Sequence, residues 1–111
     1  MEKIKTKIFL GNENLKKDFE KLKDSDIQLF NQLNKAFENI EENAFCGIQI
    51  PKRLIPKEYE KKFGKLTNLW KYNLPDAWRL IYTIKNNQID ILSIILEWLD
   101  HKEYERRFNY S

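Results

Sequence analysis

The run IDILSIILEWL, residues 89–99, constrains the fold of this chain more than any other stretch, because it is apolar at nearly every position up to Leu96. An element with one wet face alternates apolar and polar residues; a run without alternation belongs to an element buried on both faces. A buried helix has the same signature, but the isoleucine-rich composition and the preceding Asn86-Asn87 pair, which suits a tight hairpin, favour a strand. Two more runs rich in aromatic and β-branched residues lie upstream, at 66–74 and 78–85, with Pro75 and Asp76 between them. These make a hairpin, and the three runs together predict three consecutive antiparallel strands.

The N-terminal half has a different period. Residues 4–10 alternate weakly and suit a first strand at or near a sheet edge, given Lys3, Lys5 and Lys7. Gly11 and Asn12 break it, and Leu15, Phe19 and Leu22 then recur at helical spacing over 14–23. Ser25 is placed to cap a second helix over 26–43, with Ile27, Phe30, Leu33, Phe37 and Ile40 on one stripe. Residues 44–56 hold Gly47, Pro51 and Pro56 and read as irregular, followed by a short helix at 57–63 that Gly64 ends. Asp100 caps a terminal helical turn or two. The prediction is an α+β domain spanning residues 1–111: an N-terminal strand, a helical hairpin packed on an antiparallel sheet of about four strands, and a short C-terminal helix or tail.

Composition removes several classes of function. No run approaches the roughly 18 apolar residues of a membrane span, and the start MEKIKTKIFLG has no signal-peptide pattern, so a cytoplasmic location without membrane association is expected. Cys46 is the one cysteine and His101 the one histidine, too few soft ligands for a zinc site. There is no Gly-rich phosphate loop, no nucleophile with an adjacent base motif and no carboxylate cluster spaced for divalent metals. No metal or cofactor is expected.

The net charge of +3 argues little, but its distribution is uneven. From residue 49 to 72, seven cations (Lys52, Arg53, Lys57, Lys61, Lys62, Lys65, Lys71) stand against two anions, whereas from 73 to 111 five cations stand against six anions. The basic middle is either a phosphate-facing patch or a solvated lysine-rich loop. Within WRLIYT, side-chain alternation sets Trp78, Leu80, Tyr82 and Ile84 on one face and Arg79, Ile81, Thr83 and Lys85 on the other. An arginine among strand apolars needs an acidic partner, of which Glu97 is one, or an anionic ligand. Lys71 on the neighbouring strand adds a cation, His101 suits proton transfer, and Tyr104, Phe108 and Tyr110 either stack on bases or dock the tail on the sheet. This inventory of cations, hydroxyls and one histidine fits metal-free RNA cleavage, in which the ribose 2′-OH attacks its own phosphate.

NLWKYNLPDAWRLIYTI, followed by a hydrophobic strand and LDHKEYERRFNY, resembles the RelE/ParE superfamily of small toxins from bacterial and archaeal toxin-antitoxin systems, on the RelE-like side. The resemblance covers almost the whole chain and is most specific in WRLIY and DHKEY. It implies a metal-independent endoribonuclease, or mRNA interferase, of a type II toxin-antitoxin system, with mRNA and the ribosome as targets and an antitoxin protein as partner. Carried over by position, Arg79 is the phosphate clamp, Lys71 the base-side cation, His101 and Lys102 the pair after the last strand, and Tyr104 the C-terminal tyrosine, with Tyr110 its competitor. Proton transfer then falls to Lys71 or His101 as base and His101 or Tyr104 as acid. Lys52, Arg53, Lys57, Lys61, Lys62, Asn73, Lys85, Arg106 and Tyr110 are the expected RNA-binding residues; Asn73 stands where many relatives have a second lysine. The alternatives are a ParE-like toxin directed at DNA gyrase without catalysis, or an inert relative that only binds an antitoxin.

Overall fold

The computed structural model describes residues 3–87 and 89–108. Its longest strand, β5 (Ile91–Leu99), lies between β1 (Lys7–Leu10) and β4 (Arg79–Asn86), and both of its faces are covered, as its composition requires. Beyond β4 come β3 (Trp70–Asn73) and β2 (Ile48–Gln49), giving a five-stranded sheet in the order β1-β5-β4-β3-β2. One face carries α1 (Glu13–Ser25) and α2 (Ile27–Glu42), whose Leu15, Leu29, Leu33, Phe37 and Ile40 pack on Leu80, Tyr82 and Ile95. The other face carries α3 (Lys57–Phe63) and α4 (His101–Phe108), where Tyr59, Tyr104 and Phe108 meet Ile81, Leu96 and Leu99. Each fully buried Ile or Leu contributes roughly 1.5–3 kcal/mol relative to exposure. Three layers of this kind hold β5 firmly at the centre.

The sheet differs from the predicted antiparallel sheet of about four strands in two ways. β1 runs parallel to β5, so the sheet is mixed, and β2 adds a two-residue strand antiparallel to β3. A strand buried on both faces needs a neighbour on each edge, since unpaired backbone groups beside apolar side chains are costly. β1 supplies that neighbour along Leu92–Ile95, and Thr6 secures its start by donating to the Ile91 carbonyl at 2.9 Å.

Local chemistry accounts for most boundaries. Asp26, not the expected Ser25, caps α2: its carboxylate accepts the Leu29 amide at 3.1 Å, while the Ser25 hydroxyl turns back to Lys21 as the last residue of α1. The buried stripe of α2 is correspondingly Leu29, Leu33, Ala36, Phe37 and Ile40, and Ile27 is exposed. α3 spans the predicted residues and ends at Gly64, whose φ of 81° suits glycine. β3 begins only at Trp70, because Asn68 pairs with β4 through its side chain: its carbonyl oxygen accepts the Ile84 amide and its amide donates to the Ile84 carbonyl, both at 2.8 Å. The Asn86-Asn87 connection runs to Asp90, with the Asn87 side chain accepting two backbone amides, so β5 starts two residues later than the apolar run.

β4 and β5 slip register between Ile81, which faces Glu97, and Tyr82, which faces Ile95. Leu96 is the extra residue of a β-bulge, and it sets Leu96 and Glu97 in succession on the α3–α4 face. Trp98 then returns to the α1–α2 face.

Candidate anion site on the sheet

β3 and β4 pair with Lys71 opposite Ile81 and Asn73 opposite Arg79, so alternation brings all four onto the face away from the helical hairpin. Over that face lies α4, started by Asp100, whose carboxylate accepts the Glu103 amide at 2.8 Å. Tyr104 and Phe108, one turn apart, are both buried there with rings 4.8 Å apart.

The Lys71 ammonium donates to the Tyr104 hydroxyl at 3.1 Å and stands 5.1 Å from the ring centre, and the Arg79 guanidinium carbon stands 5.4 Å from the same ring. Two cations from adjacent strands therefore converge on one phenol. Each such contact contributes about 0.5–2 kcal/mol, increasing with desolvation. For Arg79 this leaves hydrogen-bonding capacity over. Its Nη1 donates to the Trp78 carbonyl at 3.3 Å, while its buried Nε has no partner among the described residues. A buried donor left without an acceptor costs about 1–3 kcal/mol, so Arg79 is a cation of this face whose hydrogen-bonding demand its described neighbours leave unmet.

Glu97 is not the acidic partner of Arg79. The bulge turns its carboxylate toward α3 and α4, where Arg107 Nη1 lies 3.0 Å from both carboxylate oxygens, Lys62 lies 3.6 Å away and the Tyr59 hydroxyl donates a short hydrogen bond. Burial, reinforced by the Glu97 charge, pushes the Tyr59 hydroxyl well above the ordinary tyrosine range. Burial is the largest influence and opposes the Arg107 charge, but Glu97, Tyr59 and Glu58 together outweigh it and raise the Arg107 pKa. Tyr59 and Arg107 carry no signal in the sequence for this role, because the contact depends on one bulge and two separate helices.

His101 and Lys102 open α4 on its exposed side, and His101 Nε2 lies 3.0 Å from Glu105 Oε1. No hydrogen bond or ring contact joins either residue to Lys71, Arg79 or Tyr104 among the described residues. The basic residues are dispersed: Lys52 and Arg53 lie in a 3-10 turn, Lys57, Lys61 and Lys62 on α3, and Lys85 at the end of β4, all exposed. Lys62 and Arg106 both line one cavity of about 440 Å³, with Arg107 and Glu58. Tyr110 lies outside the described residues.

Among the described residues no three His, Cys, Asp or Glu side chains are grouped to hold a metal ion, and no helix is long and apolar enough to cross a membrane. Compared with family models, with curated proteins and with solved structures, the chain matches none.

Proposed function

We propose that this chain is the toxin of a type II toxin-antitoxin system, a metal-independent endoribonuclease that cuts mRNA. The observation that carries the reading is the convergence of Lys71 and Arg79 on Tyr104, with the Arg79 Nε buried and lacking an acceptor. In the proposed reaction the 2′-oxygen forms a bond to the adjacent phosphorus as the bond to the 5′-oxygen breaks, leaving a 2′,3′-cyclic phosphate. Arg79 and Lys71 offset the charge that builds on the non-bridging oxygens, where fixed cations act most strongly. One proton leaves the 2′-OH and one reaches the departing 5′-oxygen. In our assignment Lys71 takes the 2′-OH proton and so becomes the ammonium that offsets the phosphate charge, and the Tyr104 hydroxyl, 3.1 Å from it and beside Arg79, gives its proton to the 5′-oxygen. His101 and Lys102 are the outlying members of the site, an acid–base group and a further charge. An antitoxin protein is the proposed partner, and the ribosome the proposed setting.

Induction of the chain in cells, followed by mapping of mRNA 5′ ends, tests this directly. Arg79→Ala is expected to fold normally and to lose about 10²–10³ in cleavage rate, the cost of one transition-state charge contact. Cleavage within about tenfold of the parent, or undiminished growth arrest, excludes Arg79 as the clamp and favours a toxin that acts by binding a protein.

A further inference from the structure

The opposite face of the same strands carries a second feature near the β2 edge. Phe45, in the 3-10 turn Ala44–Cys46, stacks on Trp70 with ring centres 5.3 Å apart and planes 26° apart, and Trp70 stacks on Tyr82 at 6.2 Å and 25°. Tyr82 is fully buried, Trp70 half-buried and Phe45 46% exposed, so the stack runs from the core to the surface and ends in an open ring.

The turn that presents Phe45 is clamped. The Tyr82 hydroxyl donates to the Ala44 carbonyl at 2.8 Å and accepts the Gly47 amide at 3.2 Å. A side chain at Gly47 would stand 2.6 Å from both the Tyr82 hydroxyl and the Lys71 carbonyl, so this close approach requires glycine. Phe45 and Trp70 line a groove of about 910 Å³ together with Lys65, Lys85, Gln49 and Asn86. Among the described residues no carboxylate lines it.

We propose that this groove is a nucleobase-stacking subsite for single-stranded RNA, with Phe45 taking the face of one base and Lys65 and Lys85 its flanking phosphates. An open ring at the end of a near-parallel stack offers a flat π surface, and bases of any identity stack on such a platform. Two lysines without a competing carboxylate supply the charge complementarity that a phosphate backbone needs. An acidic peptide would also satisfy the lysines, but it has no need of a stacking plane. The inference rests on the ribonuclease reading and extends it by giving the path of the substrate. Trp70 and Lys71 are consecutive on β3, and only the two-residue β2 lies outside β3 on that edge. A single strand rounding the edge therefore reaches both faces.

The test is the affinity of the full chain for a short fluorescent 2′-deoxy oligonucleotide, which cannot be cleaved by 2′-OH attack. Phe45→Leu is expected to weaken binding at least about fivefold, the low end for one base–aromatic stack, while Phe45→Trp retains it. Lys65→Gln and Lys85→Gln should each reduce the slope of log affinity against log salt by about 0.7, as for one single-strand phosphate contact. Phe45 is exposed, so a urea midpoint equal to that of the parent shows that the fold is intact. Binding by Phe45→Leu within about twofold of the parent overturns the subsite. So does Phe45-dependent binding of a polyglutamate peptide in place of the oligonucleotide, which assigns the groove to an acidic protein. Cleavage by Arg79→Ala separates the two readings: Phe45-dependent oligonucleotide binding with cleavage undiminished in Arg79→Ala supports the groove and counts against the cation site, and Phe45-independent binding with cleavage lost in Arg79→Ala overturns the groove alone.

Discussion

The Lys71 ammonium and the Tyr104 hydroxyl, 3.1 Å apart, tie β3 to α4 across the face that carries Arg79. Tyr104 thereby does two separable things: its ring fills the core beside Phe108, and its hydroxyl holds Lys71. Tyr104→Phe keeps the ring, so it should cost about 1 kcal/mol of stability yet lower cleavage about 10²-fold. Tyr104→Ala empties the core site and should cost about 3–5 kcal/mol. Urea midpoints and cleavage rates on the same preparations check both; an unchanged rate for Tyr104→Phe removes the hydroxyl from the reaction.

Glu97 and Arg107 are the ion pair on which the second core layer depends, with side chains 10% and 24% exposed. Glu97→Ala strands the Arg107 charge and the Tyr59 hydroxyl, and the expected loss is about 3 kcal/mol, at the low end for a broken buried pair because Arg107 still reaches water. The double replacement Glu97→Leu with Arg107→Leu should recover part of that loss, since apolar side chains of similar size substitute well for a buried pair. Equal stability for the single and double variants would show that the charge carries none of the effect.

Stability should fall on the alkaline side. Burial raises both the Tyr59 and the Tyr82 hydroxyls above the ordinary value, with the Glu97 charge adding to the first. The folded chain thus keeps two protons that the unfolded chain releases near pH 10. The stabilisation is fully present below that pH and declines as pH rises through it, by up to about 1.4 kcal/mol per pH unit for each tyrosine. Denaturant titrations from about pH 9 to 11 should show a limb shallower by one such increment in Tyr59→Phe.

Between Pro75 and Trp78 the hairpin passes through two consecutive residues of positive φ, Asp76 at 60° and Ala77 at 63°. The left-handed region costs a residue with a Cβ about 1–2 kcal/mol, and aspartate tolerates it better than alanine. Ala77→Gly removes that cost while adding backbone entropy to the unfolded chain, for a net gain of roughly 0.5–1 kcal/mol. A lower melting temperature for this variant would refute the strained turn.

Much of this architecture could be read from the residues because it rests on local period. The nearly continuous apolar run up to Leu96 determined that β5 has two covered faces, and alternation in WRLIYT determined that Arg79 and Ile81 lie on the side opposite Leu80 and Tyr82. Gly64 marked the end of α3, and Asp100 the start of α4, through chemistry confined to one turn. Asp26, one position beyond the expected cap, shows the resolution of such signals, since both Ser25 and Asp26 have the side-chain oxygen that a cap needs.

Partner choice was decided by tertiary structure alone. Alternation without a bulge would turn Glu97 toward the helical hairpin; the single extra residue at Leu96 brings it onto the face that carries Arg79, where Arg107, Lys62 and Tyr59, not Arg79, take up its carboxylate. The parallel seat of β1, the Asn68 side chain standing in for strand backbone and the Phe45–Trp70 stack likewise join residues far apart in the chain. Period along a chain encodes which face a side chain occupies, because that follows from backbone geometry at each residue. Which of several chemically equal partners it meets follows from how whole elements pack, and no local pattern records that.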